Sequence, residues 1–345
     1  MKPNIQQAWK ICFTIVGTNI GAGFASGREI WEFFGSYGLQ STAYLLFSMA
    51  LFALSSMIIL WVSWKEQTDH YYSLLKVVMG ERAAKYFDGL ILLYLIASSL
   101  VMYAGSGATF TQWNWSYLLG SSLLAIAVWT ILFFDVQGIL SLNVMVMPIL
   151  TVILCIVCLV FLRQHTEQPD PGAANLPWLP VWPSAVTYTA LNVIPLMAVL
   201  ATFGKKIQHP LEIAIAGGGS ALCLGAVGVM LNAALLRIEH LIPLYDIPLF
   251  ALIESYSPLW IGIVSLILWL AIYTTAVSNV YGAVFRIKSW TTAPPWLLAL
   301  MLSVGMIPLA QFGFAKLLGV IYPLYGVVNM IVLAMIMFYP LTRIR

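Results

Sequence analysis

The chain has 345 residues, 61% of them hydrophobic and only 8% charged, with a net charge of +3 at neutral pH. Soluble domains carry about 25% charged residues, so these figures exclude a soluble fold and imply an all-α polytopic membrane protein. The 16 lysines and arginines form no basic cluster, which speaks against nucleic acid and leaves the lipid bilayer as the first partner.

A hydrocarbon core of about 30 Å takes about 20 apolar residues per helix, which gives room for about ten crossings with short loops in a single transmembrane domain, residues 1–345. The first crossing, Trp9 to Phe34, reads WKICFTIVGTNIGAGFASGREIWEFF. No small-residue cleavage site follows its apolar part, so a removable signal peptide is not expected. Gly17, Gly21 and Gly23 fall within seven residues. Each weakens a helix by the backbone entropy that folding must remove. The stretch supports two readings. Gly17 and Gly21 form a G-x-x-x-G pair that lets intact helices approach. Alternatively the helix is discontinuous, its loose carbonyls facing a cation and the amino end of its second half, near Phe24 to Ser26, facing an anionic group.

Gly35 to Gly38 makes a turn, and span 2 runs from about Thr42 to Trp64. The polar stretch from Lys65 to Lys85 predicts a short interfacial helix, and span 3 follows from about Tyr86 to Phe110. Two tryptophans in the loop TQWNWS suit a membrane surface. Span 4 covers about Tyr117 to Phe134, Asp135 to Gly138 makes a tight turn, and span 5 covers about Ile139 to Leu162. A proline-rich loop then marks the midpoint of the chain. Span 6, about Ser184 to Gly204, is expected to break at Asn192 to Pro195, because Pro195 frees the carbonyl near Leu191. Span 7 runs from about Leu211 to Leu236, with Gly217 to Gly219 suited to close helix contact. The segment from Arg237 to Pro258 predicts an amphipathic hairpin on the membrane face. Spans 8, 9 and 10 cover about Leu259 to Phe285, Pro295 to Ala310 and Ala315 to Tyr339. Cys12, Cys155, Cys158 and Cys223 all fall in spans and read as inert thiols.

Twelve of the 16 lysines and arginines fall on the side of the amino terminus, which predicts that both termini are cytoplasmic. Five spans lie between each expected break and the end of its half, an odd number, so the halves have opposite topology. Paired interruptions at matching positions point to inverted repeats, here about 8–162 and 182–340, and to a binding site between them. Ser98-Ser99 in span 3 and Thr274-Thr275 in span 8 are a weaker echo. All four histidines lie in loops and no H-E-x-x-H, G-x-S-x-G or phosphate loop occurs, so no enzyme is expected.

The string from Gly17 to Phe34, GTNIGAGFASGREIWEFF, resembles the first helix of YkvI-type bacterial membrane proteins. Its opening, Gly17 to Phe24, resembles the unwound first-helix motif of the LeuT-fold transporters of the amino acid–polyamine–organocation superfamily. The resemblance implies ten helices in a 5+5 inverted repeat, helices 1 and 6 unwound at mid-membrane, in the bacterial cytoplasmic membrane. It implies a solute site between helices 1, 3, 6 and 8. Candidate solute-binding residues are Asn19, Gly21, Gly23 and Phe24, with Ser98 and Tyr103 from span 3 and Asn192 and Ile194 from span 6. In sodium-coupled relatives an ion takes two carbonyls from the first break, here those of Gly17 and Ile20. It takes further oxygens from an A-x-x-[ST]-[ST] run on helix 8, here Ala271, Thr274 and Thr275. Those five neutral oxygens suit a hard cation, although both threonines could instead bond back to their own helix. Other relatives use a lysine on helix 5 for proton coupling; span 5 has none, only Ser141, Asn143 and Thr151 as polar side chains, which favours Na⁺.

Gate candidates are Arg28 and Glu29. Relatives pair such an arginine with an acid on helix 10, which span 10 lacks, so Glu32, Asp246 and Glu254 are the alternatives for Arg28. Glu29 is a functional candidate by its depth, but the favoured reading places it in a wetted outer vestibule, about two turns beyond Phe24. Together these features predict Na⁺-coupled symport of a small amino-acid-like, zwitterionic or neutral solute by alternating access, with no other cofactor. A ligand sensor on the same fold is the alternative.

Overall fold

Apolar segments that leave no backbone group unpaired in hydrocarbon fold as helices. The computed structural model describes residues 3–131, 137–165, 182–288 and 290–342, with the backbone alone at 137–145 and 342. Among the described residues its α-helices are α1 (Ile5–Asn19), α2 (Ala22–Ala25), α3 (Arg28–Phe33), α4 (Ser41–Lys65), α5 (Tyr71–Met79), α6 (Glu81–Thr111) and α7 (Tyr117–Ile131). They continue with α8 (Gln137–Gln164), α9 (Trp182–Leu200), α10 (Pro210–Arg237), α11 (Pro248–Leu252), α12 (Pro258–Lys288), α13 (Pro295–Ala310) and α14 (Phe314–Thr342). Seven helices are long and apolar enough to cross a membrane, and α7 and α13 are shorter apolar helices. The chain is a multi-pass membrane protein.

Local chemistry sets the helix ends. Asn4 caps α1 by accepting the Gln7 N–H at 3.1 Å, and His209 caps α10 with Pro210 in its first turn. Packing then places the helices. α4 lies against α10, where Gly217, Gly225 and Gly228 face Met57, Met49 and Leu45. A Cβ at Gly217 would come 2.6 Å from the Met57 side chain, so the missing side chain is what lets the two backbones close. α1 packs on α10, α6 on α12, and α9 on both α14 and α4.

Three expectations need correction. First, α9 is continuous from Trp182 to Leu200 with Pro195 inside it, so the break expected at Asn192 to Pro195 is not there. A proline removes one donor, and a helix wedged between α4 and α14 absorbs the loss of one bond. Second, the segment after α10 is no surface hairpin. Pro248 to Leu252 are buried, and the Leu249 N–H donates to the Ser26 carbonyl at 2.9 Å, so α11 plugs down onto the end of α2. Third, the polar stretch from Lys65 to Lys85 holds α5 and also the first turn of α6, with Gly80 (φ +80°) between them. The turn expected at Asp135 to Gly138 and most of the midpoint loop lie outside the described residues.

Candidate functional site

The chain leaves regular helix at Ile20 and Gly21. There the Ile20 N–H donates to the Val16 carbonyl and the Gly21 N–H to the Asn19 carbonyl, each at 2.9 Å. Helical bonding resumes with Ala25 to Gly21 and Ser26 to Ala22, also at 2.9 Å. Among the described residues no backbone donor reaches the Gly17, Thr18 or Ile20 carbonyls. Gly27, at φ +79°, then turns the chain into α3 through a conformation that L side chains resist.

This stretch borders a cavity of about 490 Å³, within the range of about 300–1,000 Å³ typical of small-molecule sites. α6 contributes Ile91, Tyr94, Leu95, Ser98 and Met102, and α12 contributes Thr275, Ser278, Asn279, Gly282 and Arg286. Both sets follow i, i+3, i+4, i+7, i+11, one face of a helix. Asn192, Ile194 and Pro195 come from α9, Glu29 from α3 and Tyr322 from α14. The two faces are joined across the cavity wall, where Asn279 Nδ2 donates to Ser98 Oγ at 3.0 Å.

The two ends of the cavity differ. Toward one end a second cavity of about 750 Å³, bordered by Gln7, Lys10 and Lys206, shares Gly17, Thr18 and Met147 with the first. Tyr71 and Arg286, in the wall of the first cavity, form a cluster with Asp88. The Tyr71 hydroxyl donates to Asp88, Arg286 Nη2 donates to the Tyr71 hydroxyl at 2.6 Å, and Arg286 Nε donates to Asp88 at 3.3 Å. Burial first, with Asp88 beside it, pushes the Tyr71 phenol up to about 12, so it remains a neutral donor at physiological pH. The opposite end is sealed. Phe33 and Phe34 meet Tyr188 edge-on at 5.3 and 5.0 Å, Ser184 Oγ donates to the Phe33 carbonyl at 2.6 Å, and α11 covers Ser26.

Glu29 is the largest departure from expectation. It is only 6% exposed and lines the cavity instead of sitting in a wetted vestibule. The straight-helix estimate fails because the chain is interrupted at Ile20 and Gly21 and turned again at Gly27. Glu29 is thereby folded back onto Gly23, where a Cβ would lie 2.5 Å from Glu29 Oε2 and 3.2 Å from Tyr322. The Tyr188 phenol of α9 faces the Glu29 carboxyl. Arg28 pairs with Glu32 at 2.8 Å, one of the alternatives open from the sequence.

Of the other candidates, Gly17, Asn19, Gly21, Gly23, Ser98, Asn192, Ile194 and Thr275 border the cavity. Phe24, Ile20, Ala271 and Thr274 are buried behind its wall. Tyr103 points elsewhere, donating to Ser303 Oγ of α13 at 2.8 Å. Five residues beyond Ser98, it is rotated by about 140° around the helix, so helical phase sets it on another face. The Thr274 and Thr275 hydroxyls both donate to the Ala271 carbonyl, at 3.1 and 2.8 Å, the back-bonded arrangement. Asn192 also bonds back, to the Tyr188 carbonyl at 3.0 Å. The side chains of Ser141 and Asn143 lie outside the described residues. Sequence reasoning missed Tyr94, Asn279, Tyr188 and Tyr322. The first two were within reach: they stand four residues from Ser98 and Thr275, on the same helix faces.

No protein-family model matches the chain. It is 34% identical over 327 residues to YyaD of Bacillus subtilis, covering 95% of each chain. It is 27% identical over 338 residues to the membrane protein YkvI of the same organism, covering 96% of this chain and 95% of that one. Solved structures of the same fold include Mhp1 in an inward-facing conformation, with a TM-score of 0.68 at 11% identity, covering 98% of this chain and 77% of Mhp1. MhsT in complex with L-phenylalanine gives 0.57 at 14% identity, covering 94% of this chain and 87% of MhsT. A manganese transporter of Eremococcus coleocola gives 0.56 at 12% identity, covering 96% and 79%. These neighbours are LeuT-fold secondary transporters.

Proposed function

Because the chain belongs to the family of YyaD and YkvI, whose fold is that of the LeuT-type transporters, we propose that it is a secondary active transporter. It carries a small amino-acid-like solute by alternating access, coupled to Na⁺. The observation that carries this reading is the cavity of about 490 Å³ placed against the interruption of the first helix, with a second cavity adjoining it on one side and packed aromatic rings on the other. A receptor needs a pocket; a carrier needs one with a closed side and an open side.

Ten crossings are counted when α1 to α3 are taken as one and α7 and α13 as short spans. The helix pairing supports repeats at about 8–162 and 182–340. α1 packs on α10 as α9 packs on α4, and α8 packs on α12 as α14 packs on α6. Exchanging first-half helices for their second-half counterparts turns each pair into the other. The second cavity carries Lys10 and Lys206 and the first carries Arg286, and this excess of positive charge supports reading that side as cytoplasmic. Both termini are then cytoplasmic, and the protein faces inward as Mhp1 does in its structure.

The ion reading uses the Gly17 and Ile20 carbonyls, which no backbone donor reaches among the described residues, and the oxygens of Ala271, Thr274 and Thr275. For Na⁺ to bind there, the two hydroxyls turn lone pairs toward the ion while donating to other acceptors, and α12 approaches the break. The test is uptake by proteoliposomes of amino acids and amines, under an inward Na⁺ gradient and again in K⁺. Accumulation that requires Na⁺ is expected. Saturable binding without exchange across the membrane would replace the transporter by a sensor, and equal uptake in K⁺ would remove the sodium coupling.

A further inference from the structure

We propose that Glu29 is the charge-recognition point of the cavity and that its carboxylate pairs with an organic ammonium group on the solute. The proposal rests on the transport reading and narrows its solute to an amine or amino acid with a compact apolar body.

The argument begins with what surrounds the carboxylate. The titratable groups that face it are phenols: Tyr94 of α6, Tyr188 of α9 and Tyr322 of α14. Among the described residues no lysine, arginine or histidine forms an ion pair with it. Arg28 beside it is engaged by Glu32, and Arg286, about three turns along α12 from Thr275, is engaged by Asp88 and Tyr71. The cavity therefore ends on one acid that its own walls do not neutralise. A carboxylate at such depth, 6% exposed, is costly unless a cation joins it.

The rest of the wall describes what that cation is attached to. Tyr94 and Tyr322 border the cavity next to Glu29, and aromatic rings attract cationic head groups. Ile91, Leu95, Met102, Met147, Leu191 and Ile194 line the remainder and suit an apolar body. A solute that is only an anion would meet Glu29 without compensation. The bare proton is the smallest cation that satisfies the same group, and the test separates it from an ammonium.

The experiment measures thermal stabilisation of the full-length protein in lipid nanodiscs by a matched set: phenethylamine, L-phenylalanine, 2-phenylethanol and 3-phenylpropanoate, with butylamine, butanol and butyrate as an aliphatic series. At least one ammonium-bearing probe stabilises the wild type, and its matched alcohol and acid do not. Glu29→Gln lowers the affinity for that probe by about tenfold or more, equivalent to about 1.4 kcal/mol, and Glu29→Asp restores part of it. Where Glu29→Gln fails to fold, Tyr94→Leu serves instead, lowering amine affinity several-fold without creating alcohol binding. Amine and alcohol acting alike would make the proton the partner and overturn the proposal, as would silence of every amine or unchanged amine affinity in Glu29→Gln. The transport reading is judged separately. A bound amine that is not exchanged across proteoliposomes removes transport and leaves the Glu29 assignment. A transported alcohol or acid does the reverse.

Discussion

The two helices expected to break behave differently. The first crossing stops at Asn19 and restarts at Ala22, whereas α9 runs through Asn192 to Pro195 without a gap. The first loses several bonds together, since among the described residues no backbone donor reaches the Gly17, Thr18 and Ile20 carbonyls. The second loses one, the bond to the Leu191 carbonyl that Pro195 cannot make. One missing bond is absorbed by the packing of α4 and α14 on either side of α9. Several missing bonds together, in a stretch that Gly17, Gly21 and Gly23 weaken, are not. The consequence is functional asymmetry: α1 to α3 fold back and deliver a carboxylate to the cavity, while α9 supplies a wall.

The contrast can be attacked from both helices. The largest effect is expected from Gly23→Ala, whose methyl group would press on Glu29 Oε2 and Tyr322. Overpacking of this kind costs about 1–3 kcal/mol, and the loss should appear in solute affinity, about ten- to a hundredfold, read by thermal shift. Next is Thr275→Ala, which should raise the Na⁺ concentration for half-maximal uptake about tenfold, or about 1.4 kcal/mol. An unchanged Na⁺ midpoint removes Thr275 from the ion site. Pro195→Ala returns a donor to a helix that is already continuous, and should stabilise the protein by about 1 kcal/mol with transport retained. If it abolishes transport instead, α9 must open during the cycle and the asymmetry belongs to this state alone. Gly21→Ala is the smallest. Gly21 is extended, at φ −91° and ψ −175°, with open space where a Cβ would stand, so stability should change by less than about 1 kcal/mol. A collapse in stability would show that the neighbourhood of Gly21 is tighter than its geometry allows.

Much of the cavity could be read from spacing, and the failures have physical causes. Ser98, Asn192 and Thr275 reached the cavity because each lies on a helix face that turns inward. Asn279 and Tyr94 share those faces and were overlooked, although a four-residue step from Thr275 and Ser98 finds them. Tyr103, expected to point inward, stands about 140° around α6 from Ser98 and bonds to Ser303 on another side of the helix. The hydroxyls of Thr274 and Thr275 were legible as a pair, but their hydrogen bonds to Ala271 were not, since a threonine in a helix serves its own backbone as readily as an ion. Tyr188 and Tyr322 gave no signal, because a tyrosine in an apolar helix looks the same whether it packs in the core or faces a solute.

Composition and hydropathy alone determined that the chain is helical and lives in a bilayer, because an apolar chain without water must satisfy its backbone within each segment. The glycines at 17, 21 and 23 marked where the first helix could stop or pack closely, and the fold decided for the stop. Where Glu29 ends up was decided only in three dimensions. Its depth depends on the turn at Gly27, on α11 pressing onto Ser26 and on three tyrosines brought from helices far apart in the chain. Linear distance from a helix end measures depth only while the helix is straight, and here it is not.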